Sequence, residues 1–209
     1  MEQDYYSVRL TYDPTRKKVW KAISEDLQKY IHGVVLDLGA GYCDFINLIK
    51  AEKKYAVDEN PEFNHYAAKD VIPLTASCTN LKKFKTNTFD CIFCSNLFEH
   101  LDDNAFEQTL SEIKRVLKPG GKIIALQPNF TYTYQHYFDD YTHKKIFTHK
   151  SLSSHLKAKG FKIIKLRAKY LPFSLESNLP KSYWLTKLYL ALPFKPLAGQ
   201  MLVIGKIYK

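Results

Sequence analysis

The chain has 209 residues, 45% of them hydrophobic, and a formal net charge of +10. That length and apolar content suffice for one buried core. No stretch is long and apolar enough to span a bilayer: the longest conspicuous run, Leu188-Tyr-Leu-Ala-Leu-Pro-Phe194, is interrupted by proline, and the charged, tyrosine-rich start is unlike a secretory signal. The lysines are scattered in pairs such as Lys17-Lys18, Lys53-Lys54, Lys82-Lys83 and Lys144-Lys145, with no arginine-rich block. Such a pattern reads as a solvated basic surface, and among anionic partners it favours phospholipid or a phosphate-bearing substrate over nucleic acid. Of the four cysteines, Cys91 and Cys94 fall in a predicted strand, where their odd spacing sends them to opposite faces. A second closely spaced pair is lacking, so no metal site is expected from them. Reduced, buried thiols in a cytoplasmic protein are expected instead.

Taken in chain order, Asp13-Pro-Thr precedes a helix predicted over 16–31, where Val19, Trp20, Ile23, Leu27, Tyr30 and Ile31 recur at helical spacing. A buried strand follows at 34–38, then two glycines and a helix expected over 42–52. Further strands are expected at 54–58, near 71–74, at 91–94 and at 122–127. A helix over 104–117 stops at Lys118-Pro119-Gly120-Gly121. The helix at 148–159 ends at Gly160 and leads to a strand at 161–166, and a last strand is expected at 201–207. Parallel strands joined by crossover helices give an α/β sheet covered on both faces. No internal repeat or low-complexity linker breaks the chain, so residues 1–209 read as a single domain.

The most informative stretch is Val34-Val-Leu-Asp-Leu-Gly-Ala-Gly-Tyr-Cys-Asp-Phe45. An apolar run ending in two glycines lets a nucleotide-like ligand approach the backbone. A dinucleotide would want a third glycine and a helix N-terminus for its pyrophosphate, yet the third position holds Asp44, which would repel it. A sulfonium-bearing ligand without phosphates tolerates Asp37 and Asp44. The run resembles the first motif of class I S-adenosylmethionine-dependent methyltransferases of the type 11 kind, at Asp37, Gly39 and Gly41, and departs from it at Cys43, where the third glycine is usual. Tyr55-Ala-Val-Asp58-Glu-Asn-Pro resembles the second motif. Phe89-Asp-Cys-Ile-Phe-Cys-Ser-Asn-Leu-Phe-Glu-His100 resembles the fourth strand with its loop, and the segment from Arg115 to Ile124 resembles the helix, turn and fifth strand beyond.

The resemblance implies a Rossmann-like, mostly parallel sheet with an antiparallel C-terminal hairpin, and S-adenosylmethionine as cofactor. Gly39 and Gly41 would allow close approach, Asp37 would fix the loop, and Asp58 would accept hydrogen bonds from the ribose hydroxyls. Glu59 and Asn60 would border the adenine. Ser77 or Cys78 stands where relatives often place an aspartate on the adenine amino group. Asn96 and Leu97 would line the methionine side. The N-terminal region, 1–32, would cover the cofactor with Tyr12, Arg16 and Trp20. Asp90 opens the fourth strand at the far end and reads as structural.

Two segments, 128–147 and 168–200, exceed the minimal sheet and are expected at the substrate side, where insertions act as lids or specificity elements. Within the first, Asp140-Tyr-Thr-His143 puts an acid and an imidazole on one side of a turn. His143 is expected as general base, oriented by Asp140, with His136 and His100 as alternatives. The chain also resembles a bacterial subgroup associated with envelope-glycan biosynthesis, which implies O-methylation of a small-molecule, sugar or lipid-linked glycan acceptor. An RNA methyltransferase is the alternative, opposed by Ser95-Asn-Leu-Phe98 where an Asn/Asp-Pro-Pro-Tyr/Phe motif would be needed; a non-catalytic cofactor-binding scaffold is a third. Lastly, a helix is expected over 181–192 with Trp184, Leu185, Leu188 and Leu192 on one face, suited to covering the substrate entrance or to peripheral contact with an anionic membrane.

Overall fold

Period-two burial organises the sheet from which everything else hangs. In the computed structural model, which describes residues 11–172 and 180–209, the strands are β1 (Val34–Leu38), β2 (Lys53–Asp58), β3 (Val71–Thr75), β4 (Phe89–Ser95), β5 (Leu117–Pro128), β6 (Phe161–Pro172) and β7 (Ala198–Ile207). They form one sheet in the order β3-β2-β1-β4-β5-β7-β6. The first five are parallel, while β7 runs antiparallel between β5 and β6. The expected mostly parallel sheet with its antiparallel C-terminal hairpin is present.

Alternate residues of each central strand feed two separate cores. Leu36, Ile92, Cys94, Ile123 and Ala125 face one side, against α2 (Asp103–Val116) and α4 (His149–Ala158) through Phe106, Leu110, Ile113, Leu152 and Leu156. Val35, Cys91, Phe93, Ile124 and Leu126 face the other, against α1 (Arg16–Leu27) through Val19, Trp20, Ile23 and Leu27. Cys91 and Cys94 thus part to opposite faces as their spacing requires, and all four cysteines are free and buried. Among the described residues, the remaining α-helices are a single turn, α3 (Phe130–Thr133), and α5 (Tyr183–Ala191), which lies on α1. No helix of the described residues is long and apolar enough to cross a membrane.

Caps set most helix ends. Asp102 accepts from the Ala105 amide at the start of α2, and Thr148 and Ser151 form a reciprocal capping box on α4. The first helix is shorter than its periodicity suggested: it closes at Leu27 and continues as a 3-10 turn over Gln28–Tyr30. The Gln28 side chain then grips the backbone of Lys50 through both its oxygen and its nitrogen, at 2.8 Å each. The tetrapeptide expected only to stop α2 is already part of β5, because Leu117 pairs with Phe89 before a register shift.

One expected element is absent. Residues 42–52 form turns and not a helix. Cys43 sits at φ +56°, outside the helical region, and the Asn47 side chain is tied sideways to the carbonyl of Tyr66 and the amide of Ala68. The apolar spacing of Phe45, Ile46 and Ile49 therefore fills the core beneath β1 without a helix to carry it.

Asp90 is structural, as read from the sequence: its carboxylate accepts from the Val34 amide at 2.8 Å and from Lys118 at 2.7 Å. Gly33 makes room for it. At φ +65°, a Cβ there would lie 2.3 Å from Asp90 Oδ2. Gly33→Ala should therefore destabilise the fold by about 2–3 kcal/mol, combining left-handed strain with displacement of the carboxylate. Urea denaturation checks this, and an unchanged midpoint would show that Asp90 moves aside without cost.

Candidate active site

The carboxyl ends of β1, β2 and β4 open into a cleft of about 1070 Å³, the place where open α/β sheets bind ligands. Its floor is the glycine turn after β1. Gly39 and Ala40 both donate to the carbonyl of Val57, at 2.8 and 3.1 Å, and so lock the turn to β2. Gly39 has φ +74°, and a Cβ there would press on Leu97 at 3.1 Å. Asp58 closes the turn from the other side. One carboxylate oxygen accepts from the Gly41 amide at 2.8 Å and the other from the Asn60 amide at 3.0 Å. Asp58 itself lines the cleft.

The lining is acidic and aromatic. Asp37, Asp44, Asp58 and Glu59 line it together with Asn60, Cys78, Asn96 and Leu97. Burial pushes the Asp37 carboxyl up to about 8, with the Ile46 amide opposing and the Asp58 and Asp44 charges adding. Asp44 is paired with Arg16 at 3.3 Å. Arg16 and Trp20 of α1 reach the cleft wall, and Tyr12 packs on Tyr42 and Tyr66 beside it. Ser77 departs from its expected place: its hydroxyl is engaged by Thr79, and it is the neighbouring Cys78 that borders the cleft. Asn96, at φ +48°, has its side-chain oxygen held by the Gln200 amide at 3.2 Å.

The opposite end is built by the 3-10 turn Phe98–His100 and the insertion that folds back over it. Backbone amides of Lys144 and Lys145 donate to the Glu99 carbonyl at 2.7 and 3.1 Å, so the insertion is laced to the turn after β4. Tyr141, Thr142 and Lys144 then join His100 on the cleft wall. Thr142 has one hydroxyl hydrogen, which goes to Asp140 Oδ1 at 2.5 Å. The 2.9 Å contact between Thr142 Oγ1 and His100 Nδ1 must therefore be donated by the imidazole, which leaves the lone pair of His100 on Nε2. His143 is fixed in the same tautomer, because its Nδ1 lies 2.5 Å from the carbonyl of Tyr137, an acceptor only.

The sequence placed the proton-handling pair at Asp140 and His143. The structure brings the two near each other, with His143 Nε2 4.0 Å from Asp140 Oδ2, but its short bonds from Asp140 run through Thr142 to His100. His143, its side chain only 5% exposed, stands behind His100 with ring centroids 5.1 Å apart. His136 lies on the surface, paired with Asp139. Burial, reinforced by His143, pushes His100 down to about 4, so it is neutral near pH 7. Burial raises Asp140, but the hydroxyl and amide of Thr142 outweigh it and hold the carboxyl below its usual range. Sequence reasoning missed two residues here. Thr142 was readable only as the second half of an Asp-x-Thr turn. Glu99, 1% exposed, has neither carboxylate oxygen hydrogen-bonded, and nothing in the sequence marked it.

The cleft suits a cationic, adenosine-bearing ligand. Among the described residues, Trp20 Nε1 and Ser95 Oγ of its walls are buried without a hydrogen-bond partner, as is Arg16 Nε, which is ion-paired with Asp44. The glycine turn admits no side chain, and the carboxyl-rich floor opposes an anion. Residues 36–125 match the family model described as a methyltransferase domain. The chain is 31% identical over 162 residues to the uncharacterized protein MJ0638 of Methanocaldococcus jannaschii, covering 75% of this chain and 68% of that one. Among solved structures it is similar to a SAM-dependent methyltransferase from Archaeoglobus fulgidus, with TM-score 0.66, 21% identity and coverage of 90% and 94%. It is also similar to the PH0226 protein of Pyrococcus horikoshii, with TM-score 0.69, 18% identity and 98% of both chains covered. The chain belongs to the class I S-adenosylmethionine-dependent methyltransferases. S-adenosylmethionine is its cofactor.

The raised Asp37 carboxyl has a consequence for stability. Its folded pKa of about 8 exceeds the ordinary 3.8, so the folded protein holds a proton there that the unfolded chain releases. Stability from this group is complete below about pH 4 and is lost as pH rises towards 8. Asp37→Asn should flatten that decline in the ligand-free protein. Thermal melts of both proteins across this range, superimposing in slope, would show that Asp37 is ionised in the fold.

Proposed function

We propose that this enzyme transfers the methyl group to a hydroxyl oxygen of a small-molecule, sugar or lipid-linked glycan acceptor. The observation that carries the reading is His100, a neutral imidazole on the cleft wall backed by Thr142 and Asp140. A neutral amine brings its own lone pair to a displacement, whereas a hydroxyl is a poor nucleophile until its proton is taken or polarised. Bound in the cleft, the cofactor supplies a methyl carbon already activated by the adjacent sulfonium. The chain does the rest. Asp58 holds the ribose while keeping the glycine turn closed. Asp44, beside the protonated Asp37, favours the cationic end of the ligand, Glu59, Asn60 and Cys78 border the base, and Asn96 and Leu97 flank the methionine portion. Alignment of acceptor and methyl supplies most of the acceleration, of order 7–11 kcal/mol in favourable cases.

Aromatic groups support a sugar-bearing acceptor. Tyr141 lines the cleft yet is 66% exposed, and Tyr132, Tyr134 and Phe138 of the same insertion are also exposed. Their flat faces can pack on a pyranose ring while their edges remain wet. Transfer from labelled cofactor to hydroxylated glycans, to amines and to RNA, with the methyl located by mass spectrometry, tests the reading. Methylated oxygen on a glycan is expected; methyl on nitrogen or on RNA would overturn it. In the same assays, Asp58→Ala should weaken cofactor binding at least about tenfold for each hydrogen bond lost. Calorimetry giving wild-type affinity would remove Asp58 from the cofactor site.

A lipid-linked acceptor would bring the protein to a membrane surface, and α5 suits that task. Trp184 is 75% exposed, and Leu185, Leu188, Leu192 and Phe194 are exposed with it. The helix is held on α1 by polar contacts: Tyr183 and Lys187 both donate to Glu25, and Lys181 pairs with Asp13. Beside it Arg167, Lys169 and Lys195 line a hollow of about 400 Å³ that fits an anionic headgroup. Vesicles containing anionic lipid should float the protein at low salt, less so at high salt, and less for Trp184→Ala. Equal recovery with neutral vesicles would make α5 a soluble lid.

A further inference from the structure

We propose that Glu99, His100 and His143 form a site for one first-row divalent transition-metal ion at the acceptor end of the cleft. Each offers a donor atom, and the three atoms lie within 4.8 Å of one another. Ligands at about 2.0–2.2 Å from such an ion stand roughly 3–4 Å apart, so side-chain rotation of about an ångström closes the set.

Three independent features fit a cation. The first is Glu99 itself. A carboxyl buried to 1% exposure with both oxygens lacking a hydrogen bond is a costly arrangement, and among the described residues no polar group relieves it. A metal ion would. The second is tautomer control. His143 gives its Nδ1 hydrogen to the Tyr137 carbonyl, and His100 gives its own to Thr142, whose hydroxyl is committed to Asp140. Both imidazoles therefore carry their lone pair on Nε2. Metal-binding histidines are oriented in the same way, by a carbonyl or carboxylate behind the opposite ring nitrogen. The third is the scaffold. The Glu99 carbonyl accepts the amides of Lys144 and Lys145, which pins the insertion carrying His143 against the turn carrying Glu99 and His100.

Two imidazoles and one carboxylate suit Mn, Fe, Co, Ni or Zn better than an all-oxygen ion such as Mg or Ca. Three protein ligands leave positions open. Because His100 lines the cleft, an open position faces the acceptor. There the ion, which would occupy the His100 lone pair and take over its role, would bind the acceptor hydroxyl as ligand and lower its pKa. The O–H bond breaks with its proton passing to water at the cleft mouth, and the oxygen pair forms the new O–CH3 bond. The S–CH3 bond of the donor breaks with its electrons kept by sulfur. This deepens the hydroxyl reading given above and rests on it for the last step only; the binding site stands without it.

The test needs no acceptor. Full-length protein, free of any affinity tag and stripped with a chelator, is titrated calorimetrically with Mn²⁺, Co²⁺ and Zn²⁺, and the Co²⁺ complex is examined by visible absorption. One ion per chain is expected, with a ligand-field spectrum and a raised melting temperature. Glu99→Gln and His143→Ala should each weaken binding about tenfold or more, while His136→Ala, on the surface, should not. Absence of binding by the wild type, or undiminished binding in both cluster variants, overturns the proposal. Should a variant fail to fold, the wild-type spectrum and stoichiometry still decide it. A protein that binds no ion yet methylates oxygen overturns this inference alone; one that binds the ion yet methylates nitrogen overturns only the reading of the acceptor.

Discussion

Asp58 is the constraint on which the ligand cleft depends. Its two oxygens are shared between the turn after β1 and the turn after β2, so one carboxylate fixes the relative positions of Gly41 and Asn60. Besides it, the glycine turn is tied to β2 through the Val57 carbonyl, and the segment beyond it to the loop after β2 through Asn47. The glycine turn is strained and open to solvent on one side, and an acid at the end of the neighbouring strand supplies what its own sequence cannot. The same atoms that hold the loops are presented to the ligand. Binding and architecture therefore share one side chain, and any change at Asp58 acts on both.

The cleft has two chemically distinct ends. At the glycine turn, burial raises the Asp37 carboxyl with the Asp58 and Asp44 charges adding to it, and the acids gathered there suit a ligand that carries positive charge. At the other, Glu99, His100, Thr142, Asp140 and His143 form a buried polar cluster within the loops after β4 and β5. Buried networks of this kind are stabilising only when each member has a partner. Among the described residues, both carboxylate oxygens of Glu99 are buried without a hydrogen bond, which concentrates unmet demand on that carboxyl.

Much of this was legible in the sequence because it rests on local patterns. The strand pairing of β1 and β2, the paired glycines, Asp58 and the split of Cys91 from Cys94 all follow from period-two alternation and turn chemistry. What was not legible depends on contacts between distant segments. The helix expected over 42–52 had the right apolar spacing, but Cys43 lies in the left-handed region and Asn47 is tied to the segment near Tyr66. Neither constraint can be seen from periodicity. Likewise, His100 and Thr142 are 42 residues apart, so the chain of hydrogen bonds from Asp140 had no sequence signature. Of the two residues expected at the adenine, Ser77 is bonded to Thr79 two residues on while Cys78 borders the cleft, a choice the sequence left open.

The position of β7 carries a consequence for how the chain reaches this state. It follows β6 in sequence yet lies between β5 and β6, so until β7 arrives β6 has no partner in the sheet and β5 is paired only on its β4 side. Met201, Leu202, Val203 and Ile204 are almost wholly buried there and complete both cores at once. Until that insertion, the edges of β5 and β6 are open ladders flanked by apolar side chains. Folding is thus governed by late, long-range pairing and is slow for a domain of this size. Any state of the chain without that insertion exposes both edges to edge-to-edge pairing.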